Sequence, residues 1–139
     1  MNNSVVVTIP SHPKYLSVVR DITAGIGKVN GLDDSIIGDI KLAVDEACSN
    51  VIKHTYKGET DKKILLKYKV TERSFKLTIE DKGTKVNMES MKGRDLEDIK
   101  PGGLGIHFIK RVFDVFELDE KKKNGNKLIL VKYLTKHKI

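Results

Sequence analysis

The chain has 139 residues, of which 26 are Lys or Arg and 19 are Asp or Glu, and 39% of its residues are hydrophobic. This length supports one hydrophobic core but not two independent ones, so we expect residues 1–139 to form a single domain. Because Cys48 is the one cysteine, an intramolecular disulfide and a cysteine-based zinc site are both excluded. No segment resembles a secretory signal or a membrane span, so we expect a cytoplasmic protein with no membrane partner.

The net charge of +7 is concentrated at the carboxyl-terminal end of the chain. Residues 121–139 contain seven lysines and no acid, so the remaining residues carry equal numbers of basic and acidic side chains. Tyr133 is the one aromatic residue in this end, whereas proteins that bind single strands interleave their lysines with stacking aromatics. The distribution therefore favours a solvated strand and tail over direct nucleic-acid binding.

The first half of the chain predicts one strand and two helices. Residues 4–10 are mostly β-branched and end at Pro10, which predicts a short strand at or near a sheet edge. A helix follows, with Ser11 as its expected cap and apolar residues at three- and four-residue steps until Asn30. A second helix is predicted from residues 33–35 to about residue 56, and the acids at its start suit the helix dipole.

The second half predicts four strands, a long loop and one more helix. Residues 62–70 and 75–79 alternate apolar and polar side chains around a short turn, which is typical of a β-hairpin. Residues 82–103 lose this periodicity, apart from a helical turn predicted at 94–99, and therefore form a long loop. A third helix is predicted from Gly103, and strands at 115–119 and 128–134 follow.

The order β-α-α-β-β-loop-α-β-β predicts an α+β fold. Because the helices do not alternate one by one with the strands, a doubly wound parallel sheet is disfavoured. We expect a two-layer α/β sandwich in which three helices cover one face of a mixed, mostly antiparallel sheet of about five strands.

Polar residues border the apolar face of the second helix. At about 100° per residue, Ile40, Val44 and Val51 fall in one sector about 100° wide. Asn50 lies about 20° and Glu46 about 60° outside the same edge of that sector, one turn apart. His54 falls inside the apolar sector, so a hydrogen-bonded structural histidine is favoured over a ligand or a base. For Glu46 and Asn50, a solvated helix flank and a functional pair are both open from this helix alone.

Two further segments favour a functional role. Asp81 and Gly83 directly follow a strand, where a carboxylate can accept a hydrogen bond from a ligand and glycine permits close approach. Gly103, Leu104 and Gly105 stand at a helix start, where exposed N–H groups and the helix dipole favour an anion. An Asp-x-Gly turn and a Gly-x-Gly sequence are each weak signals by themselves.

The three segments are much more specific together than alone. The chain contains Glu46-x-x-x-Asn50-x-x-x-His54, then Asp81-x-Gly83, then Gly103-Leu104-Gly105, and finally Asn124-Gly125-Asn126 before the last strand. In this order they resemble the Bergerat-fold (GHKL) ATPases. More narrowly, they are similar to the anti-sigma factor serine kinases of the RsbW and SpoIIAB type, and the resemblance spans nearly the whole chain.

The resemblance implies ATP and Mg²⁺ as cofactors. Asn50 would coordinate Mg²⁺ through its side-chain oxygen, Asp81 would accept a hydrogen bond from the adenine amino group, and Gly83 would leave room for the base. Glu46 would be the general base that orients or deprotonates the attacking hydroxyl.

The resemblance also places a nucleotide lid over about residues 82–103. Gly103, Leu104 and Gly105 would present N–H groups to the phosphates at the start of the third helix, and Lys100 is the nearest cation before them. Asn126 would contact the nucleotide from the start of the last strand, where many relatives have Thr.

The implied function is that of an ATP-dependent serine/threonine protein kinase that acts as an anti-sigma factor. It would phosphorylate a serine of an anti-anti-sigma (STAS) protein and hold a sigma factor inactive, with Arg20 docking these partners and a homodimer as the expected assembly. One alternative is an ATP-binding regulatory module of the same fold that binds partners without significant kinase activity. A second is a nucleic-acid-binding domain that uses the lysine-rich end.

Overall fold

The structure is a computed structural model that describes residues 3–89, 91 and 105–135. The sheet consists of β1 Ser4–Pro10, β2 Lys63–Val70, β3 Ser74–Asp81, β4 Val115–Leu118 and β5 Asn126–Tyr133. The helices are α1 Leu16–Val29, α2 Asp34–Asn50 and α3 Gly105–Val112. The strands lie in the order β1-β2-β3-β5-β4. The predicted α+β fold is confirmed, except that every strand pair within the described ranges is antiparallel and the sheet is not mixed.

Alternation along the central strands separates the two faces of the sheet. Leu66 and Tyr68 of β2 point into the core beside Leu77 of β3, whereas Lys67 and Lys69 between them are exposed. This period of two is what a sheet with one covered face requires. Among the described strands, β1 pairs only with β2 and lies at the edge of the sheet, as its short β-branched sequence predicts.

Helix α2 is the element that joins the layers. Its predicted apolar stripe is confirmed, since Ile40, Ala43 and Val44 are all buried, and the helix packs against both α1 and α3. Cys48 on the same helix is completely buried. Burial, with a smaller contribution from Asp45, raises the pKa of the Cys48 thiol to about 12. The thiol therefore stays protonated at neutral pH and is part of the core.

The last turn of this helical segment is wider than an α-helical turn. Residues Val51–Thr55 form a π-helical turn, and the backbone N–H of Tyr56 donates to the carbonyl oxygen of Val51 at 2.8 Å, five residues earlier. The prediction that the helix continues to about residue 56 is thus confirmed, with a changed final turn. Such turns occur frequently at functional sites.

Ser11 is not the helix cap that its position predicts. Its side chain is fully buried, where its hydroxyl donates to the carbonyl oxygen of Glu59 at 2.6 Å and accepts from the N–H of Lys62 at 3.0 Å. His12 takes the capping position before a 3-10 turn, because its Nδ1 accepts from the N–H of Lys14 at 3.1 Å. The local sequence predicts a helix cap at Ser11, whereas long-range hydrogen bonds determine where its side chain lies.

Some predicted features lie outside the described residues. These are the helical turn at 94–99 and most of the lid predicted for 82–103. Within the ranges that the structure does describe, no helix combines the length and the apolar character needed to cross a bilayer.

Replacement of Gly125 by Ala tests the packing of the β4–β5 turn. Gly125 has φ +73, and a Cβ there would meet the backbone of Asp81 and Lys82, whereas Gly31 has φ +77 with nothing within 4 Å. We expect Gly31→Ala to lower the free energy of unfolding by about 1 kcal/mol, from the positive φ alone. Gly125→Ala should lower it by a further 1–3 kcal/mol or so, because a clash with backbone is added. Urea unfolding of both variants measures this, and equal losses would contradict it.

Candidate functional site

A cavity lies between α2, the sheet and α3. Asn50 of α2, Asp81 at the end of β3 and Asn126 at the start of β5 all contribute to its walls. Apolar side chains, among them Ile79 and Ile109, form most of the remaining lining. Three residues that the sequence singled out are thus brought together by the fold.

Asp81 is a buried carboxylate with a fixed orientation. It is 4% exposed, and its Oδ1 accepts from the N–H of Gly83 and from the Nδ2 of Asn126, each at 2.9 Å. A buried charge is tolerated only when it is well hydrogen-bonded. These two bonds therefore hold the carboxylate at the cavity wall and set its direction.

Asn126 is fully engaged by the protein. Its Nδ2 donates to Asp81 and also to the carbonyl oxygen of Thr84 at 2.9 Å, and its Oδ1 accepts from the N–H of Val86 at 2.8 Å. Both amide protons are therefore used. The structure thus shows Asn126 supporting Asp81 and the segment after it, and a direct contact with the nucleotide stays a prediction.

The side chain of Asn50, in contrast to that of Asn126, is only partly hydrogen-bonded by the described residues. Its Nδ2 donates to the backbone carbonyl of Glu46 at 3.1 Å. Its Oδ1, although buried, accepts no hydrogen bond from any described residue. A buried acceptor left in this state costs about 1–3 kcal/mol. The cost is explained if this oxygen has a ligand to bind.

The Asn50 oxygen fits the chemistry of Mg²⁺. Amide and carboxylate oxygens are hard ligands, and Mg²⁺ is commonly held by one or two protein groups together with substrate phosphates and water. Over the described ranges, no group of three or more His, Cys, Asp or Glu could hold a metal ion without further ligands. A magnesium ion held by Asn50 would take its other ligands from phosphate oxygens and water.

Gly83 is also needed for packing within the protein. A Cβ at this position would lie 2.5 Å from Cγ2 of Thr55 and 3.1 Å from Cδ1 of Tyr56. The space that a side chain at Gly83 would need is therefore occupied by the end of the helical segment, and the room that glycine leaves for a base stays a prediction. Glycine here permits β3 to end directly against that segment.

The other predicted site residues are less fully placed. Glu46 is half-buried, one turn before Asn50 on α2. Gly105 is buried, has φ 63 and begins α3. Lys100, Gly103 and Leu104 lie outside the described residues.

Arg20 lies away from the cavity lining, on α1. Its Nη1 donates to Oδ1 of Asp45 on α2 at 2.6 Å, and its side chain remains 41% exposed. The guanidinium has further donors that this bond does not use.

The segment after β3 closes the cavity. The cavity has a volume of about 20 Å³. Val86 and Met91, from the start of the predicted lid, form part of the lining. Since this space suits about one water molecule, a purine could enter only if these side chains moved.

Sequence reasoning assigned no role to two supporting residues, Thr55 and Tyr56, although Tyr56 follows the Glu46, Asn50 and His54 motif. Thr55 is buried and lines the cavity beside Gly83. The Tyr56 hydroxyl accepts from the N–H of Lys82 at 2.8 Å, next to Asp81. A buried tyrosine needs a partner for its hydroxyl, but the sequence does not show that the partner is the turn after β3.

Comparisons with known proteins agree on one family. The histidine kinase-like ATPase domain family matches residues 9–132. The serine-protein kinase RsbW of Listeria innocua is 31% identical over 149 aligned positions, which cover 100% of this chain and 92% of that protein. The protein of the same name from Staphylococcus aureus is 28% identical and covers 94% of this chain and 87% of its own length.

A solved structure supports the fold. The RsbU and RsbW domains of Rv1364c from Mycobacterium tuberculosis superpose with a TM-score of 0.67 over 93% of this chain, which corresponds to 31% of that longer chain. The sequence identity is 15%. The likeness therefore concerns the arrangement of helices and strands.

Two buried asparagines give opposite predictions for the same substitution. Asn50→Leu keeps the side-chain shape and removes a buried acceptor that has no donor among the described residues, together with the 3.1 Å bond from Nδ2 to the Glu46 carbonyl oxygen. These two effects oppose each other, so the free energy of unfolding should stay within about 1 kcal/mol of wild type or rise. Magnesium-dependent ATP binding should be lost. Asn126→Leu removes three hydrogen bonds around Asp81 and should cost about 3–5 kcal/mol. Urea unfolding and calorimetry with and without Mg²⁺ measure both effects, and a large destabilisation by Asn50→Leu would contradict the ligand role of its oxygen.

Proposed function

The chain belongs to the RsbW family of serine-protein kinases, within the histidine kinase-like ATPases, and from that premise we propose a specific reaction for it. It is an ATP-dependent serine/threonine protein kinase and an anti-sigma factor. Its substrate is a serine on a small anti-anti-sigma protein of the STAS type, and it also binds a sigma factor and keeps that factor inactive.

The observation that carries the proposal is the pairing of Asn50 with Asp81 at one cavity. Asn50 has a buried side-chain oxygen that accepts no hydrogen bond from the described residues. Asp81 has a carboxylate that is held by two hydrogen-bond donors. A purine nucleotide with its metal ion has a group that complements each residue. The amino group of the base can donate to the Asp81 carboxylate, and the metal ion on the anionic phosphates can bind the Asn50 oxygen.

Asp81 is the group that reads the base. A carboxylate accepts hydrogen bonds and donates none, so it suits the amino group of adenine and opposes the carbonyl oxygen that guanine carries at the same ring position. Its fixed Oδ1 bonds mean that no reorientation is needed on binding.

The phosphate end is assigned to Asn50 and the start of α3. Mg²⁺, when bound, would neutralise charge on the phosphate oxygens, and Asn50 would hold it through Oδ1. Gly103, Leu104 and Gly105 would offer backbone N–H groups to the phosphates at the helix start, and Lys100 would add a positive charge beside them.

Glu46 is the proposed general base. It lies one turn from Asn50, so the two Cα atoms are about 6 Å apart along the helix. The Glu46 carboxylate would take the proton of the substrate serine as the serine Oγ forms a bond to the γ-phosphorus. The bond from that phosphorus to the β–γ bridging oxygen breaks at the same time, and ADP leaves with the electron pair.

Phosphorylation would then switch the choice of partner. A phosphoserine adds nearly two negative charges at neutral pH and would weaken the complex between the STAS protein and the kinase. The released kinase is free to bind its sigma factor. Arg20 is proposed to contact both partners through the guanidinium donors that its bond to Asp45 leaves available. The homodimer and the cytoplasmic location stay predictions.

Substitution of Glu46 by Gln separates the kinase from a nucleotide-gated binding module. Gln keeps the size and hydrogen-bonding reach of the side chain but cannot take the proton. We expect the ATP dissociation constant to change little and phosphotransfer to a STAS protein to fall by about 10²–10⁴-fold. Labelled ATP, Mg²⁺ and phosphoserine detection on the STAS protein provide the measurement.

Asp39→Asn is the matched control for this variant. Asp39 is an exposed acid earlier on α2, so the same loss of one charge should leave phosphotransfer unchanged. If Glu46→Gln retains wild-type transfer, Glu46 is not the base. If wild-type protein binds ATP but transfers no phosphate to any STAS partner, the binding-module alternative is the correct one.

Arg20→Ala tests the docking role separately from the chemistry. The ion pair to Asp45 is partly exposed, so its loss should cost no more than about 1 kcal/mol of stability. Binding to the STAS protein and to the sigma factor should weaken by about tenfold or more, while ATP binding stays as in wild type. Lys28→Ala, an exposed cation on the same helix, serves as the control in a surface-plasmon assay. Equal effects of the two substitutions would rule out a specific role for Arg20.

A further inference from the structure

We infer that Tyr56 is a positioning residue that sets the selectivity of the site for adenine over guanine, by fixing the backbone turn that carries Asp81. The inference rests on the proposed function, because it concerns how the same site recognises the base of its nucleotide. Tyr56 would touch neither nucleotide nor substrate; it acts through Lys82, the residue that follows Asp81.

The Tyr56 hydroxyl bridges the ends of two neighbouring strands. It donates to the carbonyl oxygen of Lys63 at the start of β2, at 2.5 Å, and accepts from the N–H of Lys82 just beyond β3, at 2.8 Å. Tyr56 is 5% exposed, and burial is the main cause that raises its pKa above the ordinary value. The hydroxyl therefore stays protonated at neutral pH and can make both bonds.

The bond to Lys82 acts on the turn between Asp81 and Gly83. Within this turn the N–H of Gly83 donates to Oδ1 of Asp81 at 2.9 Å. A rotation of the backbone at Lys82 would move Gly83 and the carboxylate together. Tyr56 thus fixes the turn through the N–H of Lys82. Asn126 adds a second contact, because its Nδ2 donates to the same Oδ1 of Asp81 at 2.9 Å.

Packing connects the same turn to the metal-ligand helix. A Cβ on Gly83 would lie 2.5 Å from Cγ2 of Thr55, so the turn rests on the π-helical turn that continues α2 beyond Asn50. Tyr56 follows that π-helical turn directly. The base-reading carboxylate and the proposed metal ligand are therefore positioned by one continuous stretch of chain.

The consequence for recognition follows from geometry. A rigid acceptor distinguishes the amino group of adenine from the carbonyl oxygen of guanine at the same ring position, since the second would bring two acceptors together. A carboxylate that can turn away loses part of that discrimination. Loosening the turn should therefore reduce the preference between the two bases more than it alters contacts with the phosphates.

The test compares Tyr56→Phe with Tyr68→Phe in the full-length chain. Tyr68 is also buried, and its hydroxyl makes one hydrogen bond with Thr23, at 2.8 Å, away from the cavity lining. Calorimetry gives the dissociation constants of ATP and GTP with Mg²⁺ for both variants and wild type. We expect the ratio of GTP to ATP dissociation constants to fall about tenfold in Tyr56→Phe and to stay as in wild type in Tyr68→Phe.

Amide hydrogen exchange provides a readout that does not depend on nucleotide. The Lys82 amide should exchange faster in Tyr56→Phe than in wild type, and Tyr68→Phe should leave it unchanged. Should Tyr56→Phe fail to fold, Gly83→Ala displaces the same turn against Thr55 and should lower the same ratio.

The outcomes separate the two proposals. An unchanged ratio in a folded Tyr56→Phe protein, or an equal fall in both tyrosine variants, overturns the inference about Tyr56 and leaves the kinase proposal standing. Wild-type protein that binds neither nucleotide overturns the proposed function itself.

Discussion

The hydrogen bond between Asp81 and Asn126 is the interaction on which the site depends. The two residues stand opposite each other in the β3–β5 pairing, so the sheet register itself brings the amide to the carboxylate, at 2.9 Å. A carboxylate buried this deeply would be strongly disfavoured without such a partner. The same amide also bonds to Thr84 and Val86, so the start of the segment over the cavity is fixed by the bond that stabilises the charge.

Asn50 differs from Asn126 in whether the fold alone satisfies its side chain. Both asparagines are 5% exposed, yet one has all its amide groups satisfied and the other has a buried oxygen with no donor among the described residues. The first is explained by the fold alone. A buried acceptor without a donor costs stability, and the ligand of the proposed function would supply the missing partner.

Local patterns predicted the fold well, and long-range contacts determined what they missed. The helical period placed Ile40 and Val44 in the core, and the alternation along β2 and β3 gave the hairpin, because both depend on residues close in sequence. Ser11 was predicted as a cap, but its hydroxyl bonds to Glu59 and Lys62. Glycine at position 83 is likewise required by a long-range contact, because a Cβ there would meet Thr55. No sequence pattern shows which distant backbone will arrive beside a serine or a glycine.

The closed cavity adds a cost to nucleotide binding that the site residues alone do not show. Met91 is 4% exposed and lines the cavity beside Asp81, and burying a methionine side chain is worth about 1.5–3 kcal/mol. Under the proposed function, a nucleotide displaces this side chain, and its apparent affinity is then lower by roughly 10- to 100-fold than for an open site. The contacts proposed for Asp81 and Asn50 would have to exceed that amount. A ligand that offers only an apolar ring would exchange one buried surface for another, so under the same proposal these two polar groups distinguish a nucleotide from such a ligand.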